Sequence, residues 1–208
     1  MDRQISDHRP LLLGSGSPRR RDILRDLGIP FLVRVASVDE TVREGETAEQ
    51  YVTRVAGAKA SALLHHLEDD SLAALLVADT TVVLDGEVLG KPGDETQARE
   101  MLGRLVGRYH EVLTHFDVRT RDGLQDVAQT VRSRVYMRKA SAEDVVRYAA
   151  TGEGLDKAGA YAVQGQGAFL VERIDGSYSN VVGLPASELV VALQGVGLLG
   201  SFPMTNSD

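Results

Sequence analysis

Ala74-Leu75-Leu76-Val77-Ala78 contains no polar residue. A strand with one face in water alternates apolar and polar side chains, so a run without alternation belongs to a strand covered on both faces. A chain built around such a strand needs layers packed on either side of it, and the flanking sequence supplies them. Short apolar runs at 10–14 and Phe31–Val35 are interleaved with segments of helical periodicity at 17–27, 47–64 and 96–105. Val112, Thr114, Phe116 and Val118 alternate instead, as do Val127, Gln129, Val131, Ser133 and Val135. With Asp122-Gly123 between them, these two segments read as a long antiparallel pair. The expected fold class is α/β, a mixed twisted sheet with flanking helices. A chain of 208 residues suffices for one large domain or for two lobes around a cleft. No second autonomous domain stands out.

Leu11-Leu12-Leu13-Gly14-Ser15-Gly16-Ser17-Pro18 reads as strand, small-residue turn and helix start. Ser17 suits the N-cap, Pro18 suits the first helical position, and Gly28 suits the stop. Arg19, Arg20 and Arg21 then crowd the first turn, at the positive end of the helix dipole, where acidic residues are favoured. An anion seated there offsets that cost. Free amides, two serines and guanidinium groups make a phosphate cradle; a solvated basic helix start is the simpler alternative.

Thr47 and Gln50 have capping-box spacing. Val52, Val55, Ala56 and Leu63 follow at helical intervals, and Lys59 falls on the same stripe. Its ammonium either snorkels to water or reaches a buried anion. The apolar run at 74–78 ends at Asp79-Thr80. A carboxylate just past a central strand is a frequent seat of catalysis in α/β folds, although Asp and Thr there also cap local amides. Val82 to Leu89 reads as a hairpin turning at Asp85-Gly86, which delivers Gly90-Lys91-Pro92 and fixes the backbone around Lys91. Asp39-Glu40 is either a plain loop or a source of an oxygen ligand for a divalent metal. Ser141 with Asp144 opens a helix to about Ala150. The small residues of 156–165 permit close backbone approach to a ligand. A strand at 168–174, a loop at 176–180 and a last helix near 186–194 complete the reading. Residues 1–9 read as a frayed end, and nothing from Gly195 onward carries a functional signal.

Several classes of function are excluded. A net charge of -7 argues against broad nucleic-acid binding, which draws its affinity from basic surface. Without cysteine there is no disulfide framework, thiolate nucleophile or Cys-zinc site, and a reducing cytoplasm is the expected compartment. No apolar run reaches membrane-spanning length, and the N-terminus lacks the apolar core of a signal peptide. His8, His65, His66, His110 and His115 show no metal-protease spacing and are read as structural or exposed. No nucleophile elbow, Walker lysine or dinucleotide fingerprint occurs. What remains is a basic set, Arg19, Arg20, Lys59 and Lys91, with two acids, Glu40 and Asp79. Such a set suits a polyphosphate and a water-activating carboxylate, with or without a metal.

Seven motifs stand in order here: Ser-Gly-Ser-Pro-Arg-Arg at 15–20, Asp39-Glu40, Tyr51-Val52-x-Arg54-Val55-Ala56-x-x-Lys59-Ala60, Ala78-Asp79-Thr80, Gly90-Lys91-Pro92, Asp156-Lys157-Ala158-Gly159-Ala160-Tyr161-x-x-Gln164-Gly165, and Gly176-Ser177-Tyr178-x-x-Val181-Val182-Gly183-Leu184-Pro185. Together they resemble the Maf family over about residues 10–194. The resemblance implies a single Maf-like domain in which two lobes flank a deep cleft, similar to the inosine triphosphatase-like fold. It implies a nucleoside triphosphate pyrophosphatase that releases a nucleoside monophosphate and pyrophosphate. The implied proton acceptor falls on Asp79, phosphate handling on Ser15, Arg19, Arg20, Lys59 and Lys91, and the metal-associated acid on Glu40 together with Asp79. Arg19, Thr80 and Gln164 match the branch that hydrolyses dTTP and UTP. Ala162 departs from that branch, which usually carries Gly there. A Mg2+ or Mn2+ cofactor, a homodimer, nucleotide-pool sanitation and an association with division arrest also follow from the resemblance. The competing reading is a non-catalytic nucleotide-binding regulator of septum formation.

Overall fold

The apolar run found in the sequence is the middle of the protein. A computed structural model describes residues 4–204, and in it strand β3 (Leu75–Leu84) lies at the centre of a seven-stranded sheet. The other strands are β1 (Leu11–Leu13), β2 (Phe31–Val33), β4 (Glu87–Leu89), β5 (Tyr109–Arg119), β6 (Val127–Met137) and β7 (Val171–Asp175). Their order is β2-β1-β3-β5-β6-β7, with β4 also on β3. β1 runs parallel to β2 and β3, and every other pairing is antiparallel. The expected mixed α/β sheet is therefore present.

The helices begin where side chains satisfy the first amides. Thr47 and Gln50 cap one another reciprocally at the start of α2 (Ala48–Leu63). Ser141 and Asp144 do the same for α4 (Ala142–Ala150). Asp94 caps α3 (Glu95–Leu105). Helix α1 (Pro18–Asp26) starts with proline at its first turn and stops before Gly28, whose φ of 68° suits only glycine without strain. The β3–β4 turn has positive φ at Asp85 and Gly86, 52° and 85°, the conformation that a two-residue hairpin requires.

Four expectations are corrected. β3 does not stop at Asp79-Thr80 but runs on to Leu84, because β5 pairs with it without a break from Leu75 to Val83. Polar side chains do not interrupt a ladder whose backbone stays paired. Residues Gly165–Leu170 form 3-10 turns, so the strand expected at 168–174 begins only at Val171. The loop expected at 176–180 contains a single-turn helix, α5 (Tyr178–Val182), capped by Ser177. Residues 4–9 are fastened rather than frayed: Ile5 is buried and its amide donates to the Leu198 carbonyl. Residues 1–3 lie outside the described part.

Helix α2 covers one face of the sheet, packing Ala56, Ala60 and Leu63 on Leu12, Leu75 and Val77. The other face carries two separate apolar clusters. One holds Leu24 of α1 and Leu189 and Leu193 of α6 (Ala186–Gly195) over Leu76, Ala78 and Phe116. The second packs Leu102 of α3 and Val145 and Tyr148 of α4 on Val82, Val112 and Val135. These are the two lobes. Between them runs a buried polar seam. Thr80 Oγ1 and Thr114 Oγ1 lie 2.9 Å apart, and Thr114 donates to the Asn180 carbonyl at 3.0 Å. Asn180 Nδ2 donates to Ser133 Oγ at 3.0 Å and to the Val112 carbonyl at 3.1 Å. Each such bond contributes about 1 kcal/mol net, and leaving one of these groups unpaired costs more. Among the described residues no helix is long and apolar enough to cross a membrane.

Candidate active site

The cleft opens where the sheet is incomplete. One edge of β3 pairs with β1 only as far as Leu76, and with β4 only from Val82. Between them that edge carries no strand, and a cavity of about 910 Å³ reaches Asp79, Thr80 and Thr81 through the gap. Arg20, on the inward face of α1, closes part of the gap. Its guanidinium donates to the Ala78 carbonyl (2.8 Å), Ser15 Oγ (2.9 Å), the Gly183 carbonyl (2.8 Å) and Thr80 Oγ1 (3.0 Å). Four of its five N–H groups are thus held by the protein.

The turn before α1 presents its start to the cavity. Gly14 admits no side chain: a Cβ there would lie 2.6 Å from Val77 Cγ1 and 2.8 Å from Leu63 Cδ1. No side chain caps the first turn of α1, and no acidic residue stands in it. Arg19 lines the same cavity without a hydrogen bond inside the protein among the described residues. Uncapped amides, the helix dipole and a free guanidinium together favour an anion at this point.

Opposite them stands the acid. Asp79 is buried, with one oxygen 2.8 Å from Lys59 Nζ and the other, Oδ2, without a partner among the described residues. Burial pushes its carboxyl above the usual carboxylate range, against the pull of Lys59 and Arg20. Lys59 Nζ also touches Glu40 Oε1 at 2.7 Å, so one ammonium bridges the two carboxylates. Lys91 Nζ lies 3.8 Å from Glu40 Oε2. Burial opposes ionisation of Glu40, but Lys59 and Lys91 outweigh it and hold its carboxyl below the usual range. His115, opposite Asp79 on β5, binds Thr130 Oγ1 at 2.8 Å, and burial lowers its pKa. It stands as a neutral neighbour rather than a counter-ion.

The far wall is a strip of tight backbone. Glu153 accepts from the amides of Gln166 (2.9 Å) and Gly167 (2.8 Å) and from Tyr148 Oη (2.9 Å). Tyr148 Oη accepts in turn from the Ala162 amide at 3.0 Å. Gln164 lies between these anchor points, exposed in the cleft, and its side chain makes no hydrogen bond among the described residues.

Residues 10–196 match the family model described as Maf-like protein. The chain belongs to the Maf-like family. A dTTP/UTP pyrophosphatase of Hahella chejuensis is 46% identical over 190 residues, covering 91% of this chain and 94% of the relative. One of Myxococcus xanthus is 47% identical over 193 residues, covering 93% and 95%. Among solved structures, a nucleoside-triphosphatase, dITP/XTP pyrophosphatase, of Mycobacterium abscessus covers 90% of this chain and 94% of its own. Its identity is 12% and its TM-score 0.41, a likeness too loose to argue from.

Every site residue singled out in this Maf-like chain lines one cavity: Ser15, Arg19, Arg20, Glu40, Lys59, Asp79, Thr80, Lys91 and Gln164. They do not stand in it alike. Arg19 and Gln164 offer to the space polar groups with no hydrogen bond among the described residues, and Lys91 is held only by a long ion pair to Glu40. Ser15, Arg20 and Thr80 are spent on one another and on backbone carbonyls. Lys59 resolves to the buried alternative, its ammonium reaching two carboxylates rather than water. Among the described residues no group of three or more His, Cys, Asp or Glu side chains converges on a metal position; Glu40 and Asp79 are the acids that meet. Sequence reading missed Tyr148, Glu153, Thr114 and Asn180. It also treated Arg20 like its neighbours. Arg20 and Leu24 stand four apart and both are buried, so the helical period carried the signal that Arg20 faces inward.

Proposed function

We propose that this chain hydrolyses dTTP and UTP between the α and β phosphates, giving the nucleoside monophosphate and pyrophosphate. The observation that carries the proposal is buried Asp79, which lines the same cavity as the cations and the uncapped start of α1 and whose Oδ2 has no hydrogen-bond partner among the described residues. The identity of the relatives supports the choice of substrate.

The chemistry follows from the positions. Lys59 engages the other oxygen of Asp79 and leaves Oδ2 without a partner among the described residues, so Oδ2 takes the proton of a water whose oxygen bonds to the α phosphorus. The bond from that phosphorus to the bridging oxygen breaks, and pyrophosphate leaves with the electron pair. A carboxylate raised in pKa is a better base than an ordinary one, because its proton affinity lies nearer to neutral pH. Arg19, Lys91 and the amides of α1 sit where charge collects on the leaving group. Stabilising that charge is the main task in phosphoryl chemistry. Arg20 fixes Ser15 and the β3 edge, and so sets the distance from cradle to acid.

Glu40 and Asp79 fit a divalent cation. Mg2+ takes one or two carboxylates and completes its shell with water and phosphate oxygens, and the orphaned Oδ2 is a free acceptor of the right kind. A bound Mg2+ or Mn2+ would neutralise phosphate charge and acidify water. At the other end, Gln164 offers an amide donor and an acceptor, complementary to the O4 and N3–H of uracil or thymine. Ala162 narrows that end by one methyl.

The experiment is product analysis after incubation with dTTP or UTP and Mg2+ or Mn2+. Monophosphate and pyrophosphate in equal amounts are expected. Orthophosphate with a diphosphate overturns the site of cleavage. Binding without any release, from any triphosphate, overturns the enzyme and leaves the regulator.

A further inference from the structure

Glu40 sits on a segment without regular structure between β2 and α2, yet its backbone is held at three successive carbonyls. Arg54 Nη1 donates to the Asp39 carbonyl (3.4 Å) and Nη2 to the Thr41 carbonyl (2.9 Å). Tyr51 Oη donates to the carbonyl of Glu40 itself (3.1 Å). Arg54 also grips the far end of the segment, with Nε 2.5 Å from Glu46 Oε1 and Nη2 2.8 Å from Oε2. The Arg43 amide donates to the same Oε2 at 3.0 Å. Little of this pair is in water, 18% of the Arg54 side chain and 8% of the Glu46 side chain being exposed. Two-point guanidinium–carboxylate pairs of this kind fix geometry as well as charge. Arg54 and Tyr51 both belong to α2, the helix whose Lys59 holds the Glu40 carboxylate.

We propose that Arg54 is a positioning residue for Glu40: by clasping Glu46 and the carbonyls on either side of Glu40, it presents that carboxylate to the metal and phosphate space beside Asp79. The assignment rests on the pyrophosphatase reading above. Arg54 lies behind the segment and touches neither Asp79 nor the open cavity. A guanidinium is needed, because one ammonium cannot span a carboxylate and two carbonyls. Groups that orient a metal-binding side chain from behind are worth 10- to 100-fold in metal affinity.

The test compares Arg54→Lys, Glu40→Gln and the double variant in three measurements. Hydrogen exchange reads the order of residues 39–46, calorimetry reads Mn2+ binding to the nucleotide-free protein, and pyrophosphate release is followed against Mn2+ concentration. Arg54→Lys is expected to speed exchange in 39–46, weaken Mn2+ binding about tenfold or more, and raise the Mn2+ needed for half-maximal turnover to match. The double variant is expected to be no worse than Glu40→Gln alone, because Arg54 acts through that residue. Multiplying losses, or an unchanged Mn2+ response in Arg54→Lys, overturn the assignment. If Arg54→Lys does not fold, Tyr51→Phe removes the third carbonyl contact alone, and a smaller shift of the same kind is expected; no shift overturns it. A wild-type protein without turnover refutes the pyrophosphatase reading instead, and the exchange and binding arms then report on the clasp alone.

Discussion

Replacing His110 by Leu and Tyr161 by Phe together removes a buried polar pair and leaves an apolar one of similar size. His110 is 1% exposed. Its Nε2 lies 2.8 Å from Tyr161 Oη, and its Nδ1 has no partner among the described residues. The protonated ring carries an N–H at both nitrogens, and the one at Nδ1 has no acceptor among the described residues; burial holds the pKa down to about 4, against 6.5 for an unperturbed ring. Between those values the unfolded chain binds a proton that the folded protein does not. Stability is therefore complete above about pH 6.5 and is lost as pH falls toward 4. The two pKa values give a loss of about 2 kcal/mol between pH 7.5 and pH 5. Urea unfolding of both proteins at both pH values isolates this contribution, since His115 and the carboxylates are common to them. The wild type is expected to lose about 2 kcal/mol more than the double variant over that interval. Equal losses refute the argument. Both residues are changed because Leu at 110 alone would orphan the Tyr161 hydroxyl and confuse the comparison.

Asp79→Asn is expected to cut pyrophosphate release at least about 100-fold without lowering the melting temperature at pH 8. The raised pKa means the fold prefers the neutral group, so the variant is favoured at neutral pH and loses that advantage as the wild-type carboxyl protonates in acid; a melting temperature below wild type at pH 8 contradicts this. Gln164→Glu replaces a donor with a carboxylate oxygen and is expected to depress dTTP and UTP turnover together, measured as rates of pyrophosphate release; unchanged rates remove Gln164 from base recognition. Thr114→Val keeps the shape of the seam but leaves the Asn180 carbonyl without its donor, while Thr80 keeps Arg20, at a cost of about 1–3 kcal/mol in urea unfolding. A cost near zero shows that the two lobes do not depend on that contact.

The features legible in the sequence are those decided within a few residues. Caps at Thr47 and Ser141, the Asp85-Gly86 turn and the proline-led start of α1 need only neighbours in the chain, and each stands where its pattern placed it. The alternation of Val112, Thr114, Phe116 and Val118 located a strand. It could not say that Thr114 faces a second polar layer, because the partner, Asn180, is 66 positions away. Glu153 carried no signal at all. Two of its partners are backbone amides, which every residue but proline possesses, and the third, Tyr148 Oη, is a buried core side chain. Lys59 was legible as an anomaly on an apolar stripe, and its meaning depended on Asp79, 20 residues further on. The length of β3 was misread because the polar pair Asp79-Thr80 resembles an end. Only the pairing with β5 shows it to be an interior.

That interior position explains the site. A carboxylate that is to serve as the proposed base must be held still, and a strand hydrogen-bonded along one edge holds it; it must also be reachable, and a strand paired on both edges is not. β3 meets both demands by losing its neighbours on one side between Leu76 and Val82. The gap leaves a carbonyl unpaired at Ala78, and Arg20 satisfies it with a cation. It also strands a buried carboxylate at Asp79, and Lys59 compensates that with another. Unpaired carbonyls and buried carboxylates each cost several times what a paired group contributes, so the sheet can leave this gap only where cations fill it. The positive charge that the proposed triphosphate substrate requires is thus already demanded by the fold. The same reasoning accounts for Arg19, one position from Arg20 but without a hydrogen bond or ion pair among the described residues: no such bond holds it there, and the cavity it faces is where its charge would serve the proposed reaction.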